Sequence, residues 1–213
     1  MEIHKQVLQI REKRLGKTDP ETLTTSNNLA MALLDLGRPG EAKRIMQEVF
    51  EQRKIKLGKE HPWTLWALCN LAKINTELGQ LDEAENMLVD GIAAGKRSLS
   101  DDHLGVQMGC GELARVYARQ GRLDEAVNLL LDTIERIEDS RGQEHPDCVY
   151  CIWKLARLYE LQGRNENAVI ACETALERAS RRLTNRHPQY EKIESHLRVL
   201  QSRLLAKAEG SNK

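Results

Sequence analysis

The cysteines Cys148 and Cys151, three apart, and the tripeptide Gly16-Lys17-Thr18 have types and spacings that could do chemistry. The cysteines have the spacing of a zinc or redox pair, and the tripeptide has the ending of a phosphate-binding loop. Each lacks its complement. Structural zinc takes four ligands, no second such pair stands in the chain, and the redox motif belongs beside a strand. Both thiols therefore read as core packing. A phosphate loop needs a glycine five positions before the glycine of Gly-Lys-Thr, and Arg11 stands there with no strand before it. His61, His103, His145 and His187 recur at equal spacing. If each belongs to a separate helix, axes about 8–10 Å apart hold them too far apart for a zinc ion with bonds of about 2 Å. No Ser-His-Asp or paired-carboxylate set stands out from the dense surface charge. The expectation is therefore a protein that is not an enzyme and has no cofactor or metal site.

The equal spacing is itself the main signal. Asp19-Pro20, His61-Pro62, His103-Leu104, His145-Pro146 and His187-Pro188 are each 42 positions apart. Leu29-Ala30, Leu71-Ala72, Leu113-Ala114 and Leu155-Ala156 keep that interval, as do Gly37, Gly79, Gly121 and Gly163, and Ala42, Ala84, Ala126 and Ala168. Columns held in register without insertion or deletion are the signature of a solenoid. The expected fold is all-α: an array stabilised by stacking of neighbours.

The positions bracket two helices per period. Proline at the first helical turn loses nothing by lacking an N–H. Asp19 before it is a good N-cap, and histidine a weaker one. From Pro62 the run predicts a helix to about residue 77, ended by Gly79 as the left-handed residue. A second amphipathic run follows, with Leu81, Ala84, Met87, Leu88 and Ile92 apolar. The alanine columns sit where paired helices must approach closely, and large side chains there would hold them apart.

Composition narrows the function. Lys plus Arg and Asp plus Glu both number 32, for a net charge of zero. That argues against a binder of nucleic acid or anionic membrane, which relies on surplus basic charge. No apolar run approaches the roughly 20 residues that span a bilayer. Five cysteines, an odd number, mostly on helix faces, read as reduced thiols of a cytoplasmic protein.

The stretch from Ser26 to Leu65, with Leu29-Ala30, Gly37, Glu41-Ala42 and His61-Pro62, resembles the tetratricopeptide repeat in the 42-residue variety of kinesin light chains, also seen in fungal nucleotide-binding immune-type receptors. The Glu-Ala of the pattern is kept in three repeats, and the fourth has Asn167 before Ala168. The common repeat of this family has about 34 residues, so these helices should be about one turn longer each. The resemblance implies an α-solenoid, a right-handed superhelix of antiparallel helix pairs with first helices lining a concave groove.

Residues 1–18 align with the end of the next repeat and read as the second helix of a truncated one, which implies a piece of a longer protein. Repeats then occupy 19–60, 61–102, 103–144 and 145–186. Residues 187–207 read as a capping helix with Ile193, Leu197, Leu200 and Leu204 on one stripe. Arg198 replaces the alanine there, and 208–213 form a frayed tail. Apolar Val7, Leu8 and Ile10 are left partly uncovered at the front.

With the groove implied by the resemblance, the positions i, i+3, i+4 and i+7 of each first helix line it. They are Thr24, Asn27, Asn28 and Met31; Trp66, Cys69, Asn70 and Lys73; Met108, Gly111, Glu112 and Arg115; and Tyr150, Trp153, Lys154 and Arg157. Lys73, Arg115 and Arg157 form a basic column. Asn28 and Asn70 stand where family members grip a peptide main chain, since an amide both donates and accepts. Trp66, Met108, Tyr150 and Trp153 add apolar area of the kind that marks interface cores. The implied partner is a protein or peptide, acidic and extended, with an apolar anchor. A blander reading stays open: the cations pair with Glu112 or Glu77, the tryptophans fill gaps between helices, and the asparagines only link neighbouring helices. Two function classes follow: a partner-binding module, or a structural, self-associating arm of a larger nucleotide-binding receptor that sticks end to end through its first repeat. RNA reading is disfavoured by neutral charge and by the long period.

Overall fold

A computed structural model of the chain describes residues 2–99, 103–181 and 188–210. These residues form ten helices and no strand: α1 (Glu2–Leu15), α2 (Pro20–Asp35), α3 (Pro39–Leu57), α4 (Pro62–Glu77), α5 (Leu81–Ser98), α6 (Leu104–Arg119), α7 (Leu123–Arg141), α8 (Pro146–Leu161), α9 (Asn165–Ser180) and α10 (Pro188–Gly210). They fall into two compact units, Met1–Gln120 with α1–α6 and Gly121–Lys213 with α7–α10.

The helix starts follow the recurring pair. Asp19 Oδ1 accepts the Glu21 amide at 2.9 Å. Histidine takes over this role one period on: Nδ1 of His61, His103 and His145 accepts the amides of Trp63, Gly105 and Asp147 at 3.2, 3.1 and 3.2 Å. The imidazole acceptor occupies the place of the carboxylate oxygen, and its longer contacts accord with histidine as the weaker cap. His187 lies outside the described residues. At the helix ends Gly37 and Gly79 adopt φ of 71° and 76°. The Arg38 amide then reaches back to the Leu33 carbonyl, and that of Gln80 to Asn75, at 2.9 Å each. This backbone conformation is open to glycine at little steric cost.

In the first unit α2 packs on α3, α3 on α4, α4 on α5 and α6, and α5 on α6, while α1 packs on α2. Ala30, Ala42, Ala72, Ala84 and Ala114 are essentially inaccessible. Around them Leu33, Met46, Val49, Leu71 and Ile74 form a continuous core. Full burial of each large aliphatic side chain contributes about 1.5–3 kcal/mol, so packing rather than charge carries the stability. In the second unit α8 packs on α7 and α9, and α10 on α9. Ala126, Ala156 and Ala168 keep the same burial, and Leu130, Ile137 and Val149 fill the core.

The last helix buries Ile193 and Leu200, leaves Leu197 and Leu204 half-buried, and turns Arg198 to solvent, where it pairs with Glu194 at 3.1 Å. It runs to Gly210, three residues past the expected end of the cap. Ala208 and Glu209 favour the helix, and Gly210 does not. Residues 211–213 lie outside the described residues. All five cysteines are buried and unbridged. Among the described residues, no helix is long and apolar enough to cross a membrane.

Candidate partner-binding face

In the first unit, α2, α4 and α6 carry three of the four sets of groove candidates, and their hydrogen bonds set what each can offer. Asn70 Nδ2 donates to Asn27 Oδ1 at 2.9 Å, and Asn27 Nδ2 donates to Asn28 Oδ1 at 3.3 Å. Asn27 is only 3 % exposed, so it is a helix-linking residue rather than a surface one. Cys69 and Gly111 are buried too. The Asn70–Asn27 bond thus joins α4 to α2. Asn28, at the end of this hydrogen-bonded series, is exposed.

The basic column is also partly spent within the protein. Arg115 donates to Glu112 Oε2 at 2.9 Å, to Glu77 Oε1 at 2.7 Å and to the Lys73 carbonyl at 3.1 Å. Arg119 reaches the second oxygen of Glu77 at 3.2 Å. Two carboxylates neutralise this pair of guanidinium groups, so Arg115 is a link between α4 and α6 and not an open cation. Thr24 donates to the Pro20 carbonyl at 2.8 Å. Met31 packs against the core, and Met108, Trp66 and Lys73 are half-buried. Trp66 stacks on Trp63, ring centroids 5.1 Å apart.

In the second unit, α8 holds the fourth set together. Tyr150 and Trp153 lie 5.9 Å apart at a 43° tilt. Lys154 Nζ stands 4.7 Å above the Tyr150 ring, and the Arg157 guanidinium 5.7 Å from that of Trp153. Both lie within the reach of cation–π attraction. Tyr150 is 42 % exposed and Arg157 is exposed, whereas the indole N–H of Trp153 is buried without a partner.

Two features escape a reading by stripes. The first is Arg53 at the end of α3. It is only 4 % exposed, donates to the Trp63 carbonyl at 3.0 Å and to Thr24 Oγ1 at 3.4 Å, and stands 5.5 Å from the Trp63 ring. Burial lowers its pKa. Comparing position 53 with position 11, one period earlier, would have found it.

The second joins three helices. Cys172 Sγ on α9 lies 3.6 Å from Nδ1 of His196 on α10, whose Nε2 lies 2.9 Å from Glu160 Oε2 on α8. Arg203 pairs with the other Glu160 oxygen. This has the order of nucleophile, base and orienting acid, but not the electrostatics. Burial first, then the Glu160 and Glu173 charges, push the Cys172 thiol up to about 11, whereas an active thiol is one lowered toward neutrality. Its spacing of 24 residues to His196 matches no recurring interval. Cys148 behaves alike: burial raises it to about 11 although Arg178 donates to its sulfur at 3.2 Å. Among the described residues, no cluster of three His, Cys, Asp or Glu could hold a metal ion.

The comparisons agree with this geometry. The family model described as tetratricopeptide repeat matches residues 2–55, 21–97 and 108–181. No curated protein matches the chain. Among solved structures, a protein of Podosopora anserina assigned as a kinesin light chain, with nearly identical TPR-like repeats, is similar at 26% identity and a TM-score of 0.68, covering 91% of this chain and 92% of that one. A singly substituted variant of that protein gives the same identity and score. BtubC (BKLC) from P. vanneervenii, at 14% identity and a TM-score of 0.70 over 94% of this chain and 89% of that one, shares the fold. Paired helices capped at 42-residue intervals, closed on alanine and matched over most of their length place this chain in the tetratricopeptide repeat family, whose members are generally protein-interaction modules.

Proposed function

We propose that the chain is a non-catalytic binding module whose first-helix faces take extended, acidic partner segments with an apolar anchor. The observation that carries this is on α8, where Tyr150 and Trp153 present adjacent rings, each with a cation above it. Aromatic side chains with arginine are the residue types that dominate binding energy at interfaces. In the first unit Trp66 and Lys73 supply the same pairing of types, while Asn27 and Arg115 are engaged within the protein.

A displayed library of random twelve-residue peptides tests this. Selected binders should be rich in Asp and Glu beside an aromatic or aliphatic residue. Lys73→Glu with Arg157→Glu should weaken them at least tenfold with melting unchanged. Rising salt should weaken them too, because screening acts over about 8 Å at physiological ionic strength. Selection of neutral peptides, or of peptides indifferent to the double variant, refutes the reading.

One observation favours a structural, self-associating role instead. Helix α1 leaves Ile3, Ile10 and Leu15 exposed, and Val7 and Leu8 half-buried. Sedimentation over a concentration series decides it: end-to-end association through α1 gives a mass that grows with concentration and reverts with Ile10→Glu.

A further inference from the structure

The repeat shows what a guanidinium at the position of Arg53 pairs with. One period earlier Arg11 donates to the Glu21 carbonyl at 3.1 Å and to Thr25 Oγ1 at 2.7 Å, and it pairs with Glu21 Oε2 at 3.3 Å. Arg53 keeps the equivalent carbonyl, that of Trp63. Its two side-chain acceptors are gone: Glu21 is replaced by Trp63, and Thr25 by Ala67. Among the described residues no carboxylate pairs with Arg53, and the Arg53 side chain is almost wholly buried. A buried charge without a counter-charge is costly unless something supplies one.

Arg53 lines a cavity of about 280 Å³ in the first unit, together with Leu23, Thr24, Lys56, Leu57 and Trp63. Arg11 and Glu21, already paired with each other, stand at the same cavity. Lys56 donates to the Thr18 carbonyl and hydroxyl at 2.7 Å each, which leaves its positive charge without a carboxylate among these contacts. The lining residues therefore sum to an excess of two positive charges beside an apolar wall, with the Trp63 ring 48 % exposed next to it.

We propose that this cavity is a distinct subsite for one acidic side chain of a protein partner, its carboxylate on Arg53 in the place that Glu21 fills for Arg11, and its neighbouring aliphatic residue against Trp63 and Leu57. This rests on the reading that the partner is acidic, but it uses none of the α8 residues nor Lys73. A carboxylate fits better than a phosphate. Leu23, Leu57 and Trp63 give the lining apolar area, the Arg53 guanidinium has a fork that matches a carboxylate, and the chain already makes that pair at Arg11.

The test follows the side-chain N–H signals of Arg53 and Trp63 by NMR while acetyl-Leu-Glu-Leu-amide is titrated into the whole chain. Both signals should shift saturably, and the Gln version should bind at least tenfold more weakly. Trp63→Glu supplies the carboxylate from within, as Glu21 does, and should abolish the response of Arg53 while leaving the helical spectrum intact. Lys73→Glu with Arg157→Glu should leave the response unchanged, so loss of the wider face and loss of this subsite are read separately. An equal response to the Glu and Gln peptides, no saturable shift, or an undiminished response in Trp63→Glu overturns the proposal.

Discussion

Asn70 on α4 donates its amide to Asn27 on α2 at 2.9 Å, across a gap of 43 residues, and Asn27 is buried. The bond therefore belongs to the packing of one repeat on the next. Asn70→Ala leaves the Asn27 oxygen buried and unpaired, which costs about 1–3 kcal/mol. Asn28→Ala, at the exposed end of the same series, should cost less than about 1 kcal/mol. Urea unfolding of the two variants checks the order; equal, small losses would return the asparagines to a purely surface role.

Gln107 breaks its own column. Leu23, Leu65 and Val149 occupy the equivalent positions, whereas both polar atoms of Gln107 are buried without a partner. Gln107→Leu keeps the volume and removes the desolvation penalty. It should stabilise the chain by about 1–3 kcal/mol, read as a higher denaturant midpoint at unchanged slope.

What could be read from the sequence was what is written locally. Pro62 and Gly79 bracket α4, which runs from Pro62 to Glu77, because first-turn prolines and left-handed glycines act on their own turn of backbone. The alanine columns are legible for a related reason: a small side chain at a crossing carries its meaning in its size. The partners of Arg115 are not legible this way. Glu77 lies 38 residues away, and a helical stripe says which residues share a face without saying which of them a neighbouring helix consumes. Asn27 escapes the stripe for the same reason. Arg53 is hidden from a search for what recurs, because its significance lies in what does not: Trp63 standing where Glu21 stood. The Cys172–His196–Glu160 contact joins three helices at intervals that never repeat, so no pattern announces it.

Glycine in a helix interior is disfavoured by about 1 kcal/mol relative to alanine, so Gly91 and Gly95 on α5 invite replacement. Their surroundings differ. A Cβ on Gly95 would come within 2.8 Å of Val106 Cγ2 and 2.9 Å of Leu65 Cδ1, both on fully buried side chains, one of them β-branched and stiff. The nearest atoms to a Cβ on Gly91 all belong to the Leu68 side chain, its closer methyl at 2.8 Å, and the methyls can rotate aside. Overpacking at Gly95 costs about 1–3 kcal/mol, so Gly95→Ala should be neutral to destabilising by about 2 kcal/mol. Gly91→Ala should lie within about 1 kcal/mol of the parent on either side. Thermal melts of the pair test the contrast, and a Gly95→Ala melt above that of Gly91→Ala contradicts the close approach of α5 to α4 and α6.

Glu160 ties the last helix down and gives its docking an acid limit. Burial alone pushes its carboxyl up, but hydrogen bonds and charge from His196 and Arg203 outweigh that and hold it below the usual carboxylate range. A carboxyl lowered on folding binds protons more readily unfolded. Its stabilisation is therefore complete above the unfolded value of about 4.3 and is lost as pH falls through the lower folded value. The groups around it are His196 and Arg203 from α10 and the Cys172 thiol from α9. Other carboxylates titrate in the same range, so the measurement is a difference. Wild type should exceed Glu160→Gln in denaturant midpoint near neutrality, and the gap should close as pH falls below about 4. Amide hydrogen exchange should place the difference in α10, with the amides around Ile193 and Leu200 exchanging faster in Glu160→Gln at neutral pH. A gap that is independent of pH would mean that the side chain acts through packing alone, and unchanged exchange in α10 would mean that Ile193 and Leu200 hold the helix without it.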